Sequence, residues 1–288
     1  MKISGFTFIR NGINLDYPFI ESILSILPIV DEMIVVVGDC EDGTRESIVR
    51  LPSPKIKIID TVWDENMRKG GEILAQQTNI ALDNISGDWG FYIQGDEVLH
   101  EKYYEVIVEK MKTNLHNEKV DGLLFNYLHF YGSYDFVGTS RKWYRNEIRI
   151  IRNNPKIRSY KDAQGFRKAG KKLHVKNINA SIYHYGWVRD PHAQLKKAQT
   201  FNKLWHDDDW IRDHVSAEKF DYDLLENLEK FSETHPKVMQ KRLSTKNWDF
   251  SYNPDKKRNS IKEKLSIWLE KITGYRIGEY KNYILLSD

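Results

Sequence analysis

The stretch Met33-Ile34-Val35-Val36-Val37 decides the fold class. It is an apolar run without polar alternation, the pattern of a strand buried on both faces of a parallel sheet. Working outward, Ile3 to Ile9 reads as a strand, and Pro18 to Val30 carries Phe19, Ile23, Ile26 and Leu27 at helical spacing. A short helix over Thr44 to Leu51, a strand over Lys55 to Asp60 and a helix over Gly71 to Asn84 follow. Trp89 to Ile93 is a second buried strand. Alternation of this kind predicts right-handed βαβ units, hence an α/β chain with an open, mostly parallel sheet flanked by helices.

The later sequence has a different texture. Gly122 to Phe130 and Glu147 to Arg152 read as strands, separated by a loop from Tyr131 to Arg145 rich in Gly, Ser and aromatics. Ile178 to Tyr185 is a further strand ending at Gly186-Trp187. Beyond Pro191 the pattern turns helical and polar: His192 to His206, Phe220 to Phe231 and Ser260 to Ile272. The last of these puts Ile261, Leu265, Trp268, Leu269 and Ile272 on one face. The expected division is a catalytic domain over 1–190 and a helical extension over 191–288.

The 288 residues carry 12 Phe, 8 Trp and 16 Tyr, enough for a sizeable core, and 44 basic against 41 acidic side chains leave a net charge of +3. Disorder needs low hydrophobicity and high net charge, and neither holds here. The single Cys40 excludes an internal disulfide framework. No apolar run reaches the ~18 residues of a membrane span, and Met1 to Phe6 lacks the core of a signal peptide. A cytoplasmic protein is expected. Charge is uneven, however: residues 141–172 hold twelve basic side chains against Glu147 and Asp162. Such a segment suits either a phosphate-bearing ligand or a solvated surface with snorkelling lysines.

No Gly-x-x-x-x-Gly-Lys-Ser/Thr loop, no Gly-x-Gly-x-x-Gly and no zinc-spaced Cys/His cluster is present. What stands out is Trp89-Gly90-Phe91-Tyr92-Ile93-Gln94-Gly95-Asp96-Glu97, a buried strand that ends in two adjacent carboxylates. In open α/β sheets ligands sit outside the carboxyl ends of the strands. Asp96 is thus a candidate ligand for a hard cation such as Mg²⁺, which takes one or two carboxylates plus substrate phosphates. The alternative is a helix N-cap.

Several segments resemble family 2 glycosyltransferases, in that family's order. Ile3-Ser4-Gly5-Phe6-Thr7-Phe8-Ile9-Arg10-Asn11 is similar to the opening strand, and Met33 to Val37 with Asp42-Gly43-Thr44 to the second strand and its turn. Gly87-Asp88-Trp89 through Gln94-Gly95-Asp96-Glu97 resembles the strand leading into the Asp-x-Asp metal motif. Arg149-Ile150-Ile151-Arg152-Asn153 and His184-Tyr185-Gly186 resemble two later motifs. The resemblance covers residues 3 to 187. It implies a GT-A fold, a nucleoside-diphosphate-sugar donor, Mn²⁺ or Mg²⁺, inversion at the anomeric carbon and a role in polysaccharide synthesis. It further implies Asp96 and His184 as metal ligands, and Thr7, Arg10, Asn11, Asp39 and Gln94 around the donor. Gln94 stands where the family has the first Asp of its motif, and Val37 aligns with its second-strand acid, with Asp39 two residues on.

Glycosyl transfer needs charge neutralisation on the leaving diphosphate and a base for the acceptor hydroxyl. Arg10 and Arg68 are phosphate candidates because a guanidinium pairs bidentately with phosphate oxygens. Asp162 is the candidate base; the plain alternative is an ion-pair partner for Arg158, Lys161 and Arg167. The aromatic run Tyr127, His129, Phe130, Tyr131, Tyr134, Phe136 and Trp143 suits a platform for a glycan or lipid-linked acceptor, and Arg141, Lys142 and Arg145 beside it suit an anionic one. Trp268, with Lys262, Lys264 and Lys271, offers peripheral contact with the inner face of the plasma membrane, or simply packs on the protein. No nucleic-acid partner is expected. The competing readings are a nucleotidyltransferase, which wants a Gly-rich basic loop after the first strand, and a non-catalytic polyanion binder.

Overall fold

The computed structural model describes residues 1–67, 69–215, 218–222, 227–252, 261–274, 276 and 278–287. In its first part β1 (Ile3–Ile9), α1 (Phe19–Ile26), β2 (Glu32–Gly38), α2 (Thr44–Val49), β3 (Ile56–Thr61), α3 (Glu72–Asp83) and β4 (Trp89–Tyr92) alternate as the sequence predicts. There follow β5 (Glu97–Leu99), α4 (Tyr104–Thr113), β6 (Gly122–Tyr131), β7 (Phe136–Gly138), β8 (Asn146–Arg152), β9 (Ile157–Tyr160), β10 (Gly165–Lys168) and β11 (Lys171–Trp187). The chain finishes with α5 (Pro191–Asn202), α6 (Asp208–His214), β12 (Leu228–Lys230), α7 (Gln240–Ser244), α8 (Ile261–Thr273) and β13 (Tyr283–Leu285).

The sheet runs β3-β2-β1-β4-β8-β6-β11-β10-β9. Its first four strands are parallel, and β8 enters antiparallel to both β4 and β6. Residues Met33 to Val37 are all within 2% of complete burial. Met33, Val35 and Val37 pack on one face with Phe19, Ile23 and Ile26 of α1 and Ile107 and Met111 of α4. Ile34 and Val36 pack on the other with Ala81 and Leu82 of α3. Each such side chain stabilises the fold by about 1.5–3 kcal/mol relative to exposure, which explains a run with no polar residue. This is the open α/β sheet flanked by helices, GT-A-like in arrangement, that the sequence implies.

Order 3-2-1-4 means that the chain reverses its direction of travel across the sheet between β1 and β4. Loops leaving those two strands part to opposite sides and open a crevice. It therefore lies over Arg10, Asn11 and the Gln94-Gly95-Asp96 turn.

One sequence expectation fails and another proves too short. Leu228–Lys230, placed within a helix by its spacing, is the strand β12 pairing with β7. The strand expected over Ile178 to Tyr185 is the end of the much longer β11, whose first half forms a meander with β9 and β10. The latter two strands were hidden by their Arg and Lys content. Residues beyond 190 are not solely helical, since β13 pairs with β11. On α8, Leu265, Trp268 and Ile272 are more than half exposed. Among the described residues no helix is long and apolar enough to cross a membrane.

Candidate functional site

The two neighbouring carboxylates after β4 have opposite surroundings. Glu97 opens β5 and turns into the core, fully buried. Arg149 of β8, equally buried, grips it through Nε to Oε2 at 2.8 Å and Nη2 to Oε1 at 2.7 Å. The Tyr127 hydroxyl and the Gln94 backbone N–H also donate to it, at 2.7 and 3.1 Å. The guanidinium lies 5.3 Å from the ring centres of Tyr92 and of Tyr127. Glu97 is thus a structural anion with its acceptor sites filled. Neither it nor Asp96 caps a helix, because the turn at Glu101 is capped by His100.

Asp96 faces the crevice, a cleft of about 1160 Å³. Register explains its company. β5 pairs with β11 so that Glu97 lies opposite His184, and Tyr185 donates its N–H to the Asp96 carbonyl at 2.8 Å. His184 Nε2 then lies 3.7 Å from Asp96 Oδ2. Gly186 completes the fit: a Cβ there would come within 2.6 Å of His184 Nε2 and 2.8 Å of Asp96 Oδ2.

The His184 ring is oriented from behind. β6 sets His129 beside it, with the two Nδ1 atoms 3.0 Å apart, and His129 Nε2 is 2.8 Å from the Tyr144 carbonyl. A carbonyl only accepts, so His129 carries its proton on Nε2 and accepts from His184 Nδ1–H. Burial, then the neighbouring His184, brings the His129 imidazole down to about 3, which keeps it neutral. The chain of bonds leaves His184 Nε2 pointed at Asp96.

From the other side comes α5. Asp190 accepts hydrogen bonds from the His192 and Ala193 N–H groups and Pro191 occupies the first turn, a strong helix start. Gln194, Lys197, Ala198 and Phe201 then recur at helical spacing along the cleft wall. Lys197 Nζ reaches Asp96 Oδ2 at 3.1 Å and the Gly186 carbonyl at 2.8 Å. Burial, and after it Arg189, pulls the Lys197 ammonium down to about 8 although Asp96 opposes this. Burial alone would raise the Asp96 carboxyl; Lys197, His184 and Arg189 outweigh it and hold the group far below the usual range. Arg189 itself is fully buried, 5.1 Å from the centre of the Tyr17 ring.

The other residues singled out in the sequence fall as follows. Asn11 and Gln94 line the cleft, and Gln94 Nε2 lies 3.4 Å from the Ala163 carbonyl. Arg10 lines it too but is engaged: it reaches Asp39 Oδ2 at 3.1 Å and Glu65 Oε1 at 2.7 Å, and lies 5.3 Å from the Trp63 ring. Asp39, at the end of β2, also accepts from the Trp63 N–H. Thr7 does not reach the cleft, because its position in β1 points its side chain into the sheet interior, 3% exposed. Arg68 lies outside the described residues.

Asp162 lines the cleft between Lys161 and Ala163, both at positive φ (54° and 60°). Two of its expected cations, Arg158 and Arg167, are engaged elsewhere. Arg158 pairs with Asp83, and Arg167 stacks on Tyr160 and donates to the Asn282 carbonyl. The same holds along much of the basic segment: Arg145 binds Glu279 and Glu270, Arg141 meets Glu270, and Lys168 meets Asp121. Arg152 donates to four carbonyls around the end of α4. The local cation excess is largely balanced by acids and carbonyls distant in sequence, which sequence counting cannot see. Of the aromatic run, Tyr131 and Trp143 reach the cleft, joined there by Trp187, while Phe130 and Tyr134 are core.

The chain offers a divalent cation few donors of its own. Among the described residues no three His, Cys, Asp or Glu side chains converge. Glu97 is held by Arg149, position 94 is an amide, and the Asp96 oxygen that faces His184 carries the Lys197 ammonium.

No family model matches the chain, and no curated protein matches it. Among solved structures it is similar to S. aureus TarS, with 14% identity over 69% of this chain and a TM-score of 0.41; the match spans 39% of that TarS chain. TarS 1–349 gives 12% identity, 75% and 69% coverage of the two chains and a TM-score of 0.38. TarS 1–349 in complex with UDP gives 14%, 76%, 70% and 0.39.

Proposed function

We propose that this chain is a glycosyltransferase of the inverting type, moving a sugar from a nucleoside-diphosphate sugar to a glycan or lipid-linked acceptor, with 1–190 as its catalytic domain and α5 of the extension walling the cleft. The observation that carries this reading is the cleft at the β1/β4 switch, where a charged cluster around Asp96 faces a wall bearing Asp162. A non-catalytic polyanion binder has no need for an acidic strand end facing its ligand site. The partnered state of Arg145, Arg158 and Lys168 further weakens the binder reading.

In the proposed reaction the acceptor hydroxyl, lying along Tyr131, Trp143 and Trp187, gives its proton to Asp162 as it attacks the anomeric carbon. The bond from that carbon to the diphosphate oxygen breaks on the opposite face, and the diphosphate leaves with the electron pair. Of the other cleft acids, Asp96 and Glu65 are each paired with a cation and Asp64 accepts from the Asn66 backbone and side-chain amides, and Asp162 is taken as the base in this reading. No step passes through a metal.

Incubation with a panel of nucleoside-diphosphate sugars, UDP-sugars first, tests the reading by release of the nucleoside diphosphate with acceptor present. Asp162→Asn should lower that release by roughly 10²–10⁴-fold while nucleotide affinity is kept. Turnover near wild type in this variant removes Asp162 as base, and no release from any donor removes the reading.

A further inference from the structure

We propose, resting on that reading, that the Lys197 ammonium backed by Arg189 takes the place of a divalent cation at Asp96, so that nucleoside diphosphates bind without metal. An ammonium has three donors. Two are directed at Asp96 Oδ2 and the Gly186 carbonyl, and the third has no hydrogen-bond acceptor among the described residues, on a side chain that lines the cleft.

Arg189 supplies the second observation. It is 0% exposed, yet its Nε, Nη1 and Nη2 have no hydrogen-bond partner. It shares the Tyr17 ring with Lys197, the two cations lying 5.1 and 4.8 Å from its centre. Two buried cations thus face one carboxylate, and a buried charge without compensation is costly. A plain structural ion pair between Lys197 and Asp96 would leave Arg189 unexplained. A diphosphate brings the missing negative charge, whereas a divalent cation would add to the excess.

Geometry makes Lys197 a fixed feature and not a passing surface lysine. The Asp190-Pro191 start sets the phase of α5, and Gly186, lacking a Cβ, leaves room beside His184 and Asp96. Asp96 then acts as a positioning residue for the ammonium, and Glu97, its neighbour, remains sealed against Arg149.

The test is calorimetric titration of the full chain with UDP, GDP, CDP and ADP, in EDTA and again with Mn²⁺. The proposal expects at least one diphosphate to bind in EDTA with an affinity that Mn²⁺ does not improve. Lys197→Met should then weaken it about tenfold to a hundredfold, the usual value of a hydrogen bond to a charged group. Binding of the matching nucleoside, which has no phosphates, should be unchanged in that variant, and Lys197→Arg should recover most of the loss. Binding that appears only with Mn²⁺ overturns the proposal and leaves the nucleotide-sugar reading standing. Wild-type affinity of Lys197→Met in EDTA also overturns it. If no diphosphate binds under either condition, both fall.

Discussion

Asp96 and Glu97 are adjacent, carry the same functional group and end the same buried segment, yet one is part of the scaffold and the other lines the cleft. Glu97 lies in β5, where strand alternation turns it inward to a bidentate arginine, a tyrosine hydroxyl and a backbone N–H. Asp96 precedes that strand and meets an ammonium at the edge of an open cleft. What separates a structural carboxylate from a functional one here is which side of the strand it leaves, and whether its partners come from the sheet or from a helix added later in the chain.

The contrast is broken most severely by Arg149→Met, which leaves Glu97 buried without its counter-charge. Loss of one partner of a buried pair costs about 3–5 kcal/mol. Denaturant unfolding should show it, with Glu97→Gln added in the same chain recovering part of the loss. Little change in midpoint would mean that the pair is not the anchor described.

Beside this pair lies Glu147, whose carboxyl burial pushes up to about 7, Arg149 and Gln164 only partly opposing it. The sign follows from a folded value above the unfolded one. Its contribution is whole below about pH 4.5 and is lost as pH rises through about 7, a change of about 3 kcal/mol at 1.36 kcal/mol per unit. Stability measured across that window should fall for the wild type, and Glu147→Gln should flatten the profile. A wild-type profile that is already flat would contradict the burial argument.

Asp96→Asn sharpens the comparison from the other side. It should lower transfer by about 10²-fold through misplacement of Lys197 and cost less stability than Arg149→Met, because the ammonium left without its carboxylate borders the open cleft whereas Glu97 is sealed in the core. A variant that unfolds as readily as Arg149→Met would place Asp96 in the scaffold with Glu97. The smallest effect belongs to the exposed pair of Arg158 and Asp83. Asp83→Asn should change stability by less than about 1 kcal/mol, and a larger change would show that the basic segment relies on its distant acids more than exposed pairs usually allow.

Much of this was legible before any coordinates. The apolar run at Met33 to Val37 announced a two-faced sheet, and the abrupt acidic end of β4 pointed to the cleft that Asp96 lines. Several things were not. Nothing in the alternation of Gln94 to Glu97 says that Asp96 faces the cleft and Glu97 the core, because that is set by pairing with β11, about ninety residues on. Lys197 sits on a helix whose start, Asp190-Pro191, is readable, but the surface on which it docks is a tertiary fact. Thr7 belongs to a motif that resembles a donor-binding strand, and only strand phase reveals that its hydroxyl is buried. The cations of 141–172 looked like a ligand surface because their partners, Glu270, Glu279, Asp83 and Asp121, lie elsewhere in the chain.

Hydrogen exchange of the full chain, with and without whichever nucleoside diphosphate binds, tests the central claim most directly. The account predicts protection at the end of β1, across Gln94 to Glu97, at His184 to Trp187 and along α5, with the surface cations of 141–172 unchanged. Protection confined to 141–172 and absent from Gln94 to Glu97 would contradict it.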